Sequence, residues 1–320
     1  MLTITTLIPT YRRPNDLARC LDALKRQNRC ADEVLIVVRD TDIDTWSFLN
    51  DYNAKPLPLK TLTVYVPGVV VALNLGLEAA RGEVIAITDD DAAPHPDWLD
   101  RIEKHFYSDD CLGGLGGRDY IQFNGPQKEW VQAPDKVRTI GQVQWFGRMV
   151  GNHHLGQGSP RKVDILKGVN MSFRRAALAN LRCDERLKGS GAQVHFEVAL
   201  SLSVKQRGWE LLYDPAVAVD HFQAQRFDED QRTTFNAVAC SNIAHNETLV
   251  LLDHFHPGQR VVYLIWAILI GTRGTPGLLQ LLRLLPRDGL VAVQMWQAAM
   301  QGRWHGWQTW RQDNSTVMSV

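Results

Sequence analysis

The 320-residue sequence lacks an excess of charge of either sign. It holds 35 basic and 35 acidic side chains, so its formal net charge at pH 7 is zero. Proteins that bind nucleic acid usually carry a basic surplus that neutralises phosphates. This composition therefore predicts no nucleic-acid partner. The hydrophobic fraction of 45% and the charged fraction of 22% are those of an ordinary globular protein.

Cysteine is scarce and scattered. The five cysteines are odd in number, and no two have the close spacing of a zinc ribbon or a redox motif. Buried, reduced thiols are therefore expected. The first residues lead directly into a strand pattern, without a basic start or a long apolar core, so no cleaved signal peptide is expected. These absences together predict a cytoplasmic protein.

The sequence also lacks an apolar run long enough to span a membrane. The longest run, residues 261–270, is only about half of the length that a spanning helix needs. From His256 onward there are six arginines, no lysine and five of the ten tryptophans. Apolar helices flanked by arginine and rich in tryptophan are typical of segments that lie in a membrane interface. Residues 260–285 are thus a candidate contact with the cytosolic face of a membrane, with a helical cap or a dimer contact as the alternatives.

Strand and helix patterns alternate over the first 120 residues. Strands are predicted over 2–8, 33–38, 62–66 and 84–88, and helices over 15–27 and 69–80. Near-continuous apolar strands that alternate with helices indicate an α/β fold with a mostly parallel sheet covered on both faces. Ligands of such sheets bind beyond the carboxyl ends of the strands.

The later part of the chain changes character twice. Residues 120–164 have poor periodicity and are expected to form loops over a site. A strand over 168–174, a helix over 194–206 and two short strands follow, and the pattern is helical almost to the end after residue 228. The glycine-rich segment 113–117 does not open a helix, so it favours a close-packed strand over a dinucleotide-binding loop.

Three adjacent aspartates, Asp89, Asp90 and Asp91, directly follow the predicted strand 84–88. Neighbouring carboxylates repel one another, so this triplet is unfavourable unless a cation or hydrogen-bond donors compensate. A hard divalent ion bound between carboxylate and diphosphate oxygens would compensate. An exposed acidic turn is the alternative interpretation.

Several segments occur in the order seen in family 2 glycosyltransferases of the GT-A fold, and the chain resembles that family over roughly residues 3–222. The segments are 9–13, 67–76, 80–83, 88–99, 168–174 and the Phe196-Glu197 pair followed by Gly208. The resemblance implies a GT-A-like α/β catalytic domain over residues 1–227, with a helical C-terminal extension over 228–320.

The resemblance also implies a donor site. The residues implied to bind the nucleotide sugar are Pro9, Thr10, Tyr11, Arg13, Asp40, Asn74, Arg81, Asp89 and Asp90. Asp40 would read the base, although the family's usual acidic pair is Arg39-Asp40 here, which leaves the base open. Asp91 would hold the metal, and His221 would complete the metal or diphosphate site. Each of these residues also has an ordinary structural interpretation.

Glu197 is the catalytic base that the resemblance implies. Transfer with inversion needs a carboxylate that takes the proton of the acceptor hydroxyl as its oxygen attacks the anomeric carbon. The family more often has an aspartate preceded by an acid, whereas this chain has Phe196-Glu197. A solvated helical glutamate is the alternative, and Asp184 and Glu185 are then the other candidate bases.

These features together predict an inverting glycosyltransferase of the kind used in polysaccharide biosynthesis. It would move a sugar from a nucleotide-diphosphate donor, UDP by family habit, to a carbohydrate or lipid-linked hydroxyl. Mn²⁺ or Mg²⁺ is the implied cofactor. The main alternative is a catalytically silent sugar-nucleotide-binding or scaffold protein, because the acidic pair is replaced. A nucleotidyltransferase is a weaker alternative, since residues 9–14 lack the glycine of a phosphate loop.

Overall fold

A computed structural model describes residues 1–122, 139–231 and 234–317, with side chains up to residue 313. The stretch 120–164, predicted as loops, lies partly outside the described residues. The chain forms two compact units. The first unit comprises Met1–Gln142, Val150–Cys183 and Leu200–Gln225, and the second comprises Val143–Met149, Asp184–Ala199 and Arg226–Val320.

The strands are short, and most belong to one sheet. They are β1 (Ile4–Thr10), β2 (Glu33–Arg39), β3 (Leu59–Val64), β4 (Val84–Thr88), β5 (Ala92–Pro94), β6 (Leu112–Ile121), β7 (Gln142–Val143), β8 (Met149–Val150), β9 (Arg161–Lys162), β10 (Asn170–Arg174) and β11 (Glu210–His221). The helices are α1 (Pro14–Lys25), α2 (Ile43–Asp51), α3 (Val69–Ala79), α4 (Trp98–Ser108), α5 (Phe196–Gln206), α6 (Ala237–His254), α7 (Pro257–Leu269), α8 (Leu278–Asp288) and α9 (Leu290–Val317). The helical pattern predicted after residue 228 is confirmed by α6 to α9.

The sheet of the first unit has the order β3-β2-β1-β4-β10-β6-β11-β5, and β9 pairs with β11. The strands β3, β2, β1 and β4 are parallel, as their alternation with helices predicts. β10 runs antiparallel to β4 and β6, whereas β11 is parallel to β6 and antiparallel to β5. The predicted α/β class is confirmed, with a sheet that is parallel up to β4 and mixed beyond it.

Helices cover both faces of the parallel strands. Ile8 of β1 belongs to a core cluster with side chains of α1 and α4, among them Trp98 and Phe106. Its neighbour Leu7 points to the opposite face, because side chains alternate along a strand. There a Cβ on Gly76 of α3 would lie 2.2 Å from the Leu7 side chain. This double cover explains why β4 is buried along its whole length.

A close contact between β6 and β11 fixes the register of the strands that carry polar residues. A Cβ at Gly117 in β6 would lie 1.5 Å from the carbonyl oxygen of Val217. β11 is irregular here, between Asp214 and Val219. The amide of Asn170 donates to the same carbonyl over 2.8 Å and accepts the indole N–H of Trp98 over 2.9 Å. The segment 113–117 is thus the close-packed strand that the sequence predicted.

The second unit is built around the packing of α6 on α9. Gly302 and Gly306 lie one turn apart on α9, and a Cβ at either would come within 2.2 and 2.6 Å of the carbonyl oxygens of Ser241 and His245. The helices therefore approach closely only because these positions lack a side chain. No helix among the described residues combines the length and the hydropathy that crossing a bilayer requires.

Candidate metal and donor site

The three aspartates form the turn between β4 and β5, and Asp90 is tied to the turn after β1. Asp90 is 2% exposed. The Thr10 hydroxyl donates to its Oδ2 over 2.8 Å, and the Arg13 guanidinium donates to its Oδ1 over 2.8 Å. Burial raises the pKa of Asp90 to about 7, against the opposing effect of the Arg13 charge. The structure thus brings together Thr10, Arg13 and the aspartate turn at the carboxyl ends of β1 and β4.

Asp91 faces His221 at the end of β11. One oxygen of Asp91, Oδ2, accepts the backbone N–H of Ala224 over 2.9 Å. The other, Oδ1, lies 3.5 Å from Nε2 of His221. Burial opposes ionisation of both groups, yet the imidazole lowers the pKa of Asp91 to about 2, and the neighbouring carboxylates of Asp119 and Asp91 raise the pKa of His221 to about 9. The pair is therefore strongly coupled by charge.

Asp119 in β6 supports His221 from the other side of the ring. Its carboxylate is completely buried, and Oδ2 lies 3.4 Å from Nδ1 of His221. The Lys167 ammonium donates to the same oxygen. A carboxylate that accepts Nδ1–H directs Nε2 towards Asp91, where a cation would displace the Nε2 proton, and this arrangement usually orients a metal-binding histidine. Sequence reasoning missed Asp119 and Lys167, and the signal for Asp119 was an acid just after the glycine-rich part of a buried strand.

The site fits a divalent cation. Asp89, Asp91 and His221 each offer one ligand atom, and these atoms lie within 4.8 Å of one another. Asp91 Oδ1 and His221 Nε2 are both buried without a hydrogen-bond partner among the described residues. Buried polar atoms without a partner are rare and often mark a ligand site. Two carboxylates and one imidazole form a donor set that hard divalent ions accept.

The turns after β1 and β2 are joined by Asp42, which sequence reasoning also missed. Asp42 is 2% exposed, accepts the N–H of Arg12 over 2.5 Å and caps α2 through the N–H of Thr45. Arg12 has a φ of 59°, a conformation that needs such support. Tyr11 lies beside this turn, with the Arg39 guanidinium 5.9 Å from its ring centroid.

The remaining predicted donor residues lie in different places. Pro9 belongs to β1 and Asp40 directly follows β2, so both lie near the carboxyl edge of the sheet. Asn74 is buried in α3, where its amide bonds to both backbone groups of Cys183, over 3.0 and 2.7 Å. Arg81 precedes β4, and its N–H donates to Glu33 at the start of β2. Arg81 therefore lies at the opposite edge of the sheet from Asp89, and the structure does not bring the two together.

The predicted base lies outside the first unit. Glu197 is a partly buried residue in the first turn of α5, within the part of that helix that belongs to the second unit. Asp184, an alternative base, is occupied by Arg186 over 2.7 Å. Arg186 also donates to Asp253 and Asp313, over 2.5 and 2.6 Å. Asp184 is thus part of a structural ion-pair cluster.

Comparison with protein families gives a match to the part of the chain that forms most of the first unit. The model of glycosyl transferase family 2 matches residues 5–182, which is more than half of the chain. The uncharacterised glycosyltransferase YibD of Escherichia coli K12 is 26% identical over 140 residues, 43% of this chain and 40% of that protein. Chondroitin synthase of Escherichia coli is 32% identical over 123 residues, 37% of this chain and 18% of that protein. The chain matches less than half of the length of these relatives.

Solved structures resemble the chain over more of its length. GalNAc-T7 with UDP, GalNAc and Mn²⁺ has a TM-score of 0.64 at 14% identity, covering 83% of this chain and 50% of that chain. The mannosyltransferase PcManGT from Pyrobaculum calidifontis, in complex with GDP-Man and Mn²⁺, has a TM-score of 0.58 at 16% identity, covering 95% and 87%. Similarity at this level of identity shows the fold, and the predicted GT-A architecture is confirmed.

Proposed function

Because the chain belongs to glycosyl transferase family 2, we propose that it transfers a sugar from a nucleotide-diphosphate donor to an acceptor hydroxyl, with inversion. One observation carries the proposal. Asp91 Oδ1 and His221 Nε2 are buried and 3.5 Å apart beyond the carboxyl end of β4, where the ligands of such sheets bind, and no residue that the structure describes forms a hydrogen bond with either atom. The partly exposed Asp89 completes the set.

The cation held by these residues is proposed to be Mn²⁺, with Mg²⁺ as the alternative. GalNAc-T7 and PcManGT both hold Mn²⁺ together with a nucleotide or nucleotide sugar, which supports this choice. When bound, the ion stabilises the negative charge of the departing diphosphate. The titles of the related structures name both UDP and GDP-Man, so UDP is proposed here only as the family's usual donor.

The donor is proposed to lie across the turns after β1, β2 and β4. Pro9, Thr10, Tyr11 and Arg13 would line the nucleotide pocket, and Asp40 would approach the base. The bonds of Asp90 to Thr10 and Arg13 hold the wall of this pocket in place before the donor arrives. Preorganised groups of this kind act in the transition state without reorganisation.

Glu197 is proposed to take the proton of the acceptor hydroxyl. The acceptor oxygen forms its bond to the anomeric carbon from the face opposite to the diphosphate, while the bond from that carbon to the diphosphate oxygen breaks. The proton moves to the Glu197 carboxylate, and the configuration inverts. A carbohydrate or a lipid-linked sugar would provide the hydroxyl group.

The helical extension is proposed to bind the cytosolic face of a membrane through α7 and α8. Large apolar side chains project into solvent on both helices, among them Val261, Ile265, Leu279 and Leu282, which are all more than half exposed. Arg273, Arg283 and Arg287 are exposed beside them. Exposed apolar area next to arginines suits an anionic lipid surface, and this position would suit a lipid-linked acceptor.

A thermal-shift screen of UDP- and GDP-sugars, with and without Mn²⁺, tests the donor assignment. A true donor should stabilise the protein only when the metal is present, by about 2.7 kcal/mol at a hundredfold excess over Kd. Hydrolysis of that donor would then separate an enzyme from a silent binding protein. Pyrophosphate release from a nucleoside triphosphate and a sugar phosphate would instead indicate a nucleotidyltransferase. Stabilisation that is independent of metal for every donor would contradict the proposed site.

A further inference from the structure

The second unit contains a polar cavity that the proposed transfer reaction does not use. It lies between α6 and α9 and has a volume of about 310 Å³, and all the described residues that line it have polar side chains. Ser241, Asn242 and His245 line it from α6, and His305, Gln308 and Thr309 line it from α9. Its volume is at the small end of the roughly 300–1,000 Å³ found for ligand pockets. It can therefore hold a small ligand rich in hydrogen-bonding groups.

The hydrogen bonds of His245 determine what Thr309 offers to this cavity. His245 is 2% exposed, and burial lowers its pKa, so its imidazole is neutral. Its Nδ1 lies 2.9 Å from Asn246 Oδ1, which can only accept, so Nδ1 carries the proton. Nε2 is then an acceptor for the Thr309 hydroxyl, 3.1 Å away. The single proton of the Thr309 hydroxyl is directed to Nε2 of His245 or to the carbonyl oxygen of His305, 3.0 Å away, so the Thr309 oxygen retains lone pairs to accept from a ligand.

The opposite rim of the cavity is formed by Lys188, at the start of a loop held firmly to α6. The amide of Asn246 accepts the Lys188 N–H over 2.7 Å and donates to the carbonyl oxygens of Lys188 and Val194, over 2.8 and 3.0 Å. Asn246 is completely buried. Both ends of the segment 188–194 are therefore fixed to the helix that forms the cavity wall, and the rim is preorganised.

An exposed aromatic residue of α9, Trp304, lies outside the cavity lining but one helical turn from a residue of that lining. Trp304 is 57% exposed and stacks on Trp307, with ring centroids 5.1 Å apart and an interplanar angle of 28°. It precedes the lining residue Gln308 by four positions, which are neighbours on a helix surface. The stacked rings hold an apolar platform beside groups that donate and accept hydrogen bonds. A sugar ring has matching features, because its faces present C–H groups and its edge carries hydroxyls.

We propose that this cavity is a saccharide-binding subsite, in which Trp304 stacks on a sugar ring and Lys188, Gln308 and Thr309 bond its hydroxyl groups. Saccharide binding at this place is independent of metal and of the donor site. It would hold a carbohydrate chain on the second unit. The inference does not rest on the transfer reaction, because binding can be measured without a donor.

Binding of the full-length protein to an array of immobilised di- to tetrasaccharides, in buffer with EDTA, tests the proposal. We expect at least one oligosaccharide to be retained, and Trp304→Ala and Gln308→Leu to weaken its binding by about tenfold or more. Gln301→Leu is the matched control, since Gln301 is exposed on the same helix outside the cavity lining. It should bind as the unaltered protein does.

Two further measurements separate this site from the donor site. Asp91→Asn should keep its oligosaccharide binding while losing metal binding, and thermal unfolding should show that Trp304→Ala and Gln308→Leu are folded. The proposal is overturned if the unaltered protein retains no oligosaccharide on the array. It is equally overturned if both cavity variants, correctly folded, bind as strongly as Gln301→Leu.

Discussion

Nε2 of His221 lies 3.5 Å from Oδ1 of Asp91, and neither buried atom has a hydrogen-bond partner among the described residues. Because both atoms would be metal ligands, Asp91→Asn and His221→Gln should each weaken Mn²⁺ binding by more than the roughly 10–100-fold expected for loss of an outer partner. Titration of Mn²⁺ followed by electron paramagnetic resonance measures this. Asp100→Asn, on the exposed side of α4, is the control. Unchanged Mn²⁺ affinity in both site variants would remove the metal site.

Asp119 should act as a positioning residue for His221. Asp119→Asn should weaken Mn²⁺ binding by about 10–100-fold, because an uncharged amide accepts Nδ1–H less strongly and can present its NH2 group to the ring instead. The ¹⁵N chemical shifts of the His221 ring report the tautomer directly, and they should change in this variant. Asp220→Asn alters a neighbouring carboxylate that bonds to Gln122 instead, and it should leave both readouts unchanged. Normal shifts in Asp119→Asn would assign Asp119 a structural role only.

Glu197→Gln should abolish transfer but keep donor binding. The amide preserves the shape of the side chain and cannot take a proton, so kcat should fall by about 100-fold or more. Donor affinity measured by calorimetry with Mn²⁺ should stay the same. The parallel variant Glu185→Gln, at an exposed position nearby in the chain, should retain activity. Loss of activity in Glu185→Gln alone would transfer the role of base to that residue.

Membrane binding should depend on the exposed leucines of α8. Leu279 and Leu282 are 56% and 58% exposed, and glutamate at both positions would place charge where the lipid is expected. We expect the fraction of protein that sediments with vesicles containing phosphatidylserine to fall by about tenfold. Ile43→Glu changes a 77% exposed side chain in the first unit and should have no effect. If the double variant and the unaltered protein sediment equally, α8 does not contact the membrane.

His153 should make the protein less stable in mild acid. It is 3% exposed, and burial lowers its pKa to about 4, below the unfolded value of about 6.5. Between pH 4 and pH 6.5 the His153 imidazole is protonated in the unfolded chain but not in the folded one. The contribution of His153 to the free energy of unfolding is therefore complete above pH 6.5 and falls as the pH decreases towards 4. The loss from pH 7 to pH 5 is about 2 kcal/mol. His153→Gln should reduce this pH dependence of the free energy of unfolding, measured with urea, and an identical dependence in both proteins would contradict it.

The parallel half of the sheet could be predicted from the sequence because its signals are local. β4 is an uninterrupted apolar run, and its predicted and observed bounds agree. The aspartate turn at its end could likewise be predicted as a candidate ligand site, since parallel strands place their carboxyl ends at one edge of the sheet. Thr10 and Arg13 follow the neighbouring strand β1 and lie at the same edge.

Residues that act through distant contacts could not be predicted in this way. Asp119 and His221 are 102 positions apart, and only the parallel pairing of β6 with β11 brings them together. Asp42 reads as a helix cap, yet it also fixes the turn at Arg12. Arg81 belongs to a matching motif but lies at the amino end of β4, away from the aspartate turn. A motif read along the chain does not show at which edge of the sheet its residues lie.

The geometry of the candidate metal site depends on the lack of a side chain at Gly117. This glycine precedes Asp119 by two positions on β6, and any side chain there would collide with the Val217 backbone in the strand that leads to His221. Saturation mutagenesis should therefore show that Gly117 tolerates substitution as poorly as Asp91 and His221, the proposed metal ligands, do. Alanine at Gly117 would push β6 away from β11 and so move Asp119 away from His221, and we expect this variant to keep its sheet but to lose the cation proposed to bind there.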